Sequence, residues 1–218
     1  MLESNFQETK EILRSAIKDH IDLKITTGLN IAGTVLIDLA VSQGFDGDVV
    51  FVDTNYHFSE TLSFFAYLKS RYQSANFITL KPKAPFEDGY LIDPVACCSQ
   101  NKVEPLEDFL AATMPSAILN GRTRESASTR NTLGALEDGN PIRLNPLYRW
   151  ERKDLESYAK SYDLRLHPLY SQGYLSMGCW PCTAAVKAGE DIRAGRFVGQ
   201  GRTECGIWTK TKPPAQEA

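Results

Sequence analysis

The sequence predicts an α/β domain with a mainly parallel sheet flanked by helices. Two observations carry that expectation. Strand-like and helix-like patterns alternate through most of the chain. Between Asp48 and Asp53 runs the unbroken apolar stretch Val49-Val50-Phe51-Val52, the mark of a strand buried on both faces. At 218 residues the chain can bury roughly 70% of its unfolded surface in one large domain without disulfide staples. Its 42% hydrophobic and 23% charged residues are those of an ordinary globular protein.

Taken in order, Ser4-x-x-Gln7 reads as a capping box opening a helix with Phe6, Leu13, Ile17 and Ile21 on its apolar side. Leu23 to Thr26 is a short strand, and Gly28 lies in the loop after it. A helix from Ile31 to Gln43 stops at Gly44, a left-handed cap. Asp48 to Asp53 is the second strand, Ser59 or Glu60 opens a helix to about Tyr72, and Asn76 to Leu80 is the third strand. Ala117-Ile118-Leu119 is the fourth and enters the arginine-rich stretch 121–130. Glu151 to Tyr162 is an amphipathic helix, and beyond Pro168 the chain turns glycine-rich and irregular. Residues 1–195 are expected to form the body. Residues 196–218 form a tail whose Lys212-Pro213-Pro214-Ala215-Gln216 reads as disordered.

Charge and hydropathy exclude several classes. Lys+Arg number 24 against 27 Asp+Glu, a formal charge of -3, which leaves no footprint for non-specific nucleic-acid binding. A local basic pocket for a small anion remains compatible with it. The longest apolar stretch, Ile31 to Val41, is broken by Asp38 and too short to cross a bilayer, so no membrane is expected. Glu3, Glu8 and Glu11 replace the basic start of a signal peptide, and the expected compartment is the cytoplasm.

Five cysteines fall as an adjacent pair, Cys97-Cys98, a Cys-x-x-Cys at Cys179 and Cys182, and a single Cys205. In a reducing compartment such clustering points to metal or redox chemistry. Two pairs supply four thiolates, which zinc and iron–sulfur centres both accept. Adjacent residues cannot easily aim both sulfurs at one tetrahedral ion, a hint toward a cluster. Cys205 lies between Glu204 and Gly206, with Gly201 close by, so it is expected to be exposed on a mobile segment, with Arg202 and Lys210 favouring its thiolate and Glu204 opposing it. Asp53 and Thr54 put polar groups at the carboxyl end of the second strand, where open α/β sheets bind ligands. The first loop, Thr26-Thr27-Gly28-Leu29-Asn30, offers hydroxyls and N–H groups to a phosphate. Arg122, Arg124 and Arg130 can clamp an anion. His57 falls on a loop; His20 and His167 read as structural.

With those residues in hand, the chain resembles the assimilatory sulfonucleotide reductases, in their iron–sulfur adenylyl-sulfate branch. Val52-Asp53-Thr54-Asn55-Tyr56-His57-Phe58-Ser59-Glu60-Thr61 is similar to the family's Leu-Asp-Thr-Gly-Tyr-His-Phe-x-Glu-Thr. The run from Cys97-Cys98 to Lys102 and Pro105-Leu106 resembles its first cysteine motif, and Gly173 to Thr183 its second. Gly189-Glu190-Asp191-x-Arg193-x-Gly195-Arg196 then leads to Thr203-Glu204-Cys205-Gly206-Ile207, similar to the family's catalytic tail.

The resemblance implies an adenine-nucleotide alpha hydrolase-like fold that holds adenylyl sulfate at the strand ends. It implies a [4Fe–4S] cluster on Cys97, Cys98, Cys179 and Cys182. Cys205 becomes the nucleophile that takes up the sulfonate, and thioredoxin or a similar thiol reductant releases sulfite. Thr26, Thr27, Gly28, Asp53, Thr54, Lys102, Arg124, Arg130 and Arg202 are the expected substrate contacts. A homo-oligomer is compatible with all of this. Asn55 stands for a usual Gly, Asn101 for an Arg, Thr123 for one of two arginines, and Trp208 for a His. The competing readings are reduction of 3′-phosphoadenylyl sulfate and a non-catalytic zinc-containing nucleotide-binding or redox-sensing domain.

Overall fold

The computed structural model describes residues 2–202 and 204–208. Thr203, Lys210 and the proline-rich end at 212–216 lie outside the described residues. Helix α1 (Leu2–Asp19) precedes β1 (Lys24–Thr27), α2 (Ile31–Ser42), β2 (Asp48–Val52), α3 (Ser59–Arg71) and β3 (Asn76–Leu80). Two short helices, α4 (Gly89–Ile92) and α5 (Pro94–Cys98), run through a π-helical turn (Ser99–Val103) into α6 (Glu104–Thr113). Strands β4 (Ala117–Asn120), β5 (Leu136–Glu137) and β6 (Ile142–Leu144) and helix α7 (Arg152–Ser161) follow, then short 3₁₀ turns. The sheet order is β3-β2-β1-β4-β6-β5, with every pairing parallel except β5 with β6. Among the described residues no helix is long and apolar enough to cross a membrane.

The apolar run in β2 is buried on both faces, and its alternation divides the core. Val49 and Phe51 join the large cluster beneath α1, α2, α3 and α7, while Val50 and Val52 face a smaller one with Ile118, Leu106 and Leu110. Ile207 and Trp208 pack against that smaller cluster, so the chain's last described turn completes the second layer. Trp208, in place of the family's His, contributes an apolar ring there, with the Arg143 guanidinium 5.9 Å from its centroid.

Two local expectations change. Helix α1 begins at Leu2, so Ser4 is inside it rather than capping it, and Gln7 donates to Glu3 instead. The helix ends at Asp19, which leaves Ile21 84% exposed. By contrast α2 is capped by Asn30, whose Oδ1 accepts from Gly33 N, and α7 has a reciprocal box between Glu151 and Asp154. Gly121 shows why the first loop and β4 can meet. A Cβ there would lie 2.7 Å from the Gly33 nitrogen, so only glycine lets the end of β4 approach the start of α2.

Two histidines are held neutral. Nδ1 of His167 accepts from Leu169 N, which leaves Nε2 to donate to Thr61 Oγ1, and the ring is 2% exposed. Burial depresses its pKa to about 4 against slight opposition from Glu60. Burial, with help from Lys102, does the same to His57, whose Nε2 donates to Val52 O. The unfolded chain takes up these protons near the ordinary value of 6.5 and the folded chain only near 4. Stability is therefore present above pH 6.5 and lost as the pH falls toward 4, with His167 alone accounting for roughly 3 kcal/mol across that window. The denaturant midpoint is expected to drop between pH 7 and pH 5, and His167→Gln to flatten that drop. An equally steep drop in the variant contradicts the assignment.

Candidate active site

A cavity of about 430 Å³ opens where the strand order reverses between β1 and β4. That is where open parallel sheets take ligands. Its floor is Thr26, Thr27, Gly28 and Asn30 on one side and Asn120 to Thr123 on the other. Thr26 Oγ1 donates to Asn120 Oδ1 at 2.6 Å, and the loop's N–H groups are partly engaged: Leu29 N donates to Thr27 Oγ1 and Ile31 N to Tyr170 Oη. Asn120 Nδ2, Arg122 Nε and Arg130 Nε are buried and find no acceptor among the described residues. Donors left in this state face an acceptor-rich ligand.

Among the described residues, six cationic side chains and three carboxylates line the cavity: Lys102, Arg122, Arg130, Arg152, Arg193 and Arg196 against Glu125, Glu137 and Glu204. The excess of cations suits an anion. Arg122 is paired with Glu137 at 2.5 Å and Arg130 with Glu204 at 2.9 Å. Arg196 is aimed by two backbone carbonyls, Met177 O at 2.6 Å and Cys182 O at 3.2 Å. Arg193 and Arg196 received no role from the sequence, although the Arg-x-Gly-Arg spacing held the signal. Gly195 between them is required, because a Cβ there would fall 2.0 Å from Ala184 O.

Cys205 lines the same cavity and is half-buried, held between Glu204 on its arginines and Ile207 and Trp208 on the apolar cluster. This corrects the expectation of an exposed cysteine: the flanking glycines bend the segment, but its neighbours anchor it. Burial opposes the Cys205 thiolate, yet the Lys102 ammonium, the Ile207 N–H and the Arg196 guanidinium outweigh burial and Glu204 and hold its pKa below the ordinary cysteine value. Burial pushes the Cys97 and Cys98 thiols the other way. Against its own burial, Lys102 is held above the usual lysine range by the sulfurs of Cys179, Cys205 and Cys98.

A second, smaller cavity is lined by Cys97, Cys98, Cys179 and Cys182, with Thr54, Asn101 and Lys102 among its other walls. Lys102 therefore separates the two cavities. All four thiols are free. Four thiols lining one cavity are a donor set that zinc and iron–sulfur centres both accept, although among the described residues no group of three His, Cys, Asp or Glu is already arranged to hold a metal ion. The first pair sits at the junction of α5 and the π-helical turn, a distortion frequent at functional sites. The second loop is tied to the end of β2 by Trp180 N donating to Tyr56 O at 2.7 Å. Asn55 in that turn has φ +65°, a left-handed conformation that Gly and Asn tolerate, which accounts for Asn where the family has Gly. Asn101, in place of Arg, is 1% exposed and clamps the Phe86 backbone through both amide atoms.

Four residues expected to touch substrate lie elsewhere. Asp53 accepts from Asn55 N and pairs with Lys81 at 3.6 Å, so it shapes the turn. Thr54 Oγ1 is 3.1 Å from Cys179 Sγ. Arg124 turns out to solvent, donating to Leu133 O and lying over the Tyr148 ring. Arg202 faces Cys98 Sγ at 3.4 Å. Thr26, Thr27, Gly28, Lys102, Arg130 and Cys205 are brought together in the large cavity.

A parallel sheet with a cation-lined crevice at its switch point and an activated thiol in that crevice defines an enzyme that handles an anionic nucleotide through a cysteine. The chain belongs to the phosphoadenosine phosphosulfate reductase domain family, whose sequence pattern matches residues 22–185. It is 49% identical over 208 residues to the adenosine 5′-phosphosulfate reductase of Deinococcus radiodurans, covering 92% of this chain and 82% of that one. The crystal structure of phosphoadenylyl-sulfate reductase from Candida auris superposes with a TM-score of 0.71 at 25% identity, over 79% of this chain and 88% of that one. FMN adenylyltransferase from Candida glabrata shares the fold alone, with a TM-score of 0.63 at 17% identity over 83% and 64% of the two chains.

Proposed function

We propose that this chain reduces adenylyl sulfate to sulfite and AMP in a reducing cytoplasm, serving sulfate assimilation. Cys205 is the nucleophile, and Cys97, Cys98, Cys179 and Cys182 hold a [4Fe–4S] cluster. The observation that carries this reading is a thiol of lowered pKa in the same cavity as six cations at the nucleotide-binding edge of the sheet. The nucleoside half fits the Thr26-Thr27-Gly28 loop, and the phosphate and sulfate oxygens fit Arg122, Arg130, Arg193, Arg196 and Lys102. When bound, the cluster would supply negative charge next to Lys102, the side chain that lines both cavities.

The Cys205 thiolate attacks the sulfate sulfur, the bond from sulfur to the phosphate oxygen breaks, and AMP leaves with the electron pair. The cysteine is left as a thiosulfonate. A thiolate of a dithiol protein of the thioredoxin type then attacks Cys205 Sγ, releases sulfite and forms a mixed disulfide. The donor's second thiol resolves that disulfide, so the donor supplies both electrons and ends as a disulfide.

The nucleotide without a 3′-phosphate is favoured by the likeness to the adenosine 5′-phosphosulfate reductase that is 49% identical to this chain. With reduced thioredoxin, anaerobically purified protein is expected to show a higher kcat/KM for adenylyl sulfate than for its 3′-phosphorylated form, and to contain iron and inorganic sulfide in equal amounts. A reversed preference reassigns the substrate. Zinc in a colourless, fully active preparation removes the cluster.

A further inference from the structure

Among the described residues, each of the four paired cysteines' sulfurs faces one side-chain partner. Thr54 Oγ1 lies 3.1 Å from Cys179 Sγ and Asn101 Nδ2 3.5 Å from Cys97 Sγ, both from the body of the fold. The other two partners come from the segment that leads into Cys205: Gln200 Nε2 lies 3.6 Å from Cys182 Sγ and Arg202 Nη1 3.4 Å from Cys98 Sγ. These two act as a unit. Arg202 donates through Nε and Nη2 to Gln200 Oε1 at 3.0 and 2.8 Å, and Nη2 also reaches Pro94 O, at the start of the helix that bears Cys97 and Cys98, at 2.9 Å.

We propose that the tail docks through the iron–sulfur site, so that holding the cluster and placing Cys205 are a single coupled equilibrium. The proposal rests on the reading of the cluster and of Cys205 given above. A thiolate accepts a stronger hydrogen bond from a guanidinium than a neutral thiol does, so filling the site tightens the Arg202 and Gln200 contacts and with them the tail. Linkage makes the effect reciprocal: a docked tail strengthens cluster binding by the same factor. Arg202 and Gln200 are thus positioning residues. The contacts hold the nucleophile at the cavity for the first half-reaction and yield when Cys205 must meet a protein thiol.

Hydrogen exchange over residues 200–208, followed by mass spectrometry on anaerobic protein of known iron and sulfide content, tests this. Stripping the cluster with a chelator is expected to speed exchange of that segment about tenfold, the scale of one charge-assisted hydrogen bond. Arg202→Met is expected to speed it comparably with the cluster in place and to make the visible absorbance bleach faster in air, with Gln200→Leu changing both less and in the same direction. Equal exchange in filled and stripped wild type overturns the coupling while leaving the cluster reading intact. Wild type without iron and sulfide overturns both. If Arg202→Met does not hold a cluster, the wild-type comparison decides alone.

Discussion

Cys205→Ser is expected to abolish sulfite formation, by at least about 10⁴-fold, while the protein keeps its cluster absorbance and still binds nucleotide. A serine hydroxyl in the same place stays protonated. The cations that draw the thiol below its ordinary pKa cannot bring an alcohol within range of neutral pH, and an alkoxide is in any case a poor partner for the reductant's attack. The substitution changes one atom, and the anchors on either side, Glu204 on Arg130 and Trp208 on the apolar cluster, remain. Normal steady-state turnover in this variant contradicts the assignment. So does loss of the cluster, because that would make Cys205 a ligand.

Lys102→Met is expected to lower kcat/KM by about 10²–10³-fold, the usual cost of removing one preorganised charge from a reacting centre. Lys102 is the leading favourable influence on the Cys205 thiolate. Without it, burial and Glu204 weigh more heavily, the pKa rises, and less thiolate is present at neutral pH. The pH midpoint for alkylation of Cys205 is therefore expected to move upward, which separates this role from a purely structural one. An unchanged midpoint, with reduced activity, would assign Lys102 to substrate binding alone.

The sheet was legible where one local signal sufficed. Asn76 to Leu80 is a strand with the expected bounds, and β2 ends one residue short of Asp53 because that carboxylate turns back to cap Asn55. The helical run from Pro94 to Thr113 was not foreseen, since Pro94, Pro105 and the paired cysteines hide its period; the prolines sit in first turns, where a missing N–H costs nothing. The cysteine pairs were visible from spacing, but the arginines were not sorted by it. Arg124 points outward and Arg130 inward from one loop, and Arg202 faces a cysteine rather than the cavity. Which way a loop side chain points depends on tertiary neighbours, here Tyr148, Glu204 and Cys98. The partial burial of Cys205 likewise goes with Ile207 and Trp208 packing on the cluster of Val50, Val52 and Ile118, residues far away in sequence.

The most direct measurement is a single exposure of wild-type protein to adenylyl sulfate with no reductant present, followed by peptide mass mapping. The mechanism requires a burst of AMP no larger than one per chain and a peptide containing Cys205 heavier by one SO₃ group, which reduced thioredoxin then discharges as sulfite. An adduct on Cys97, Cys98, Cys179 or Cys182, or AMP released in a burst with Cys205 unmodified, contradicts it.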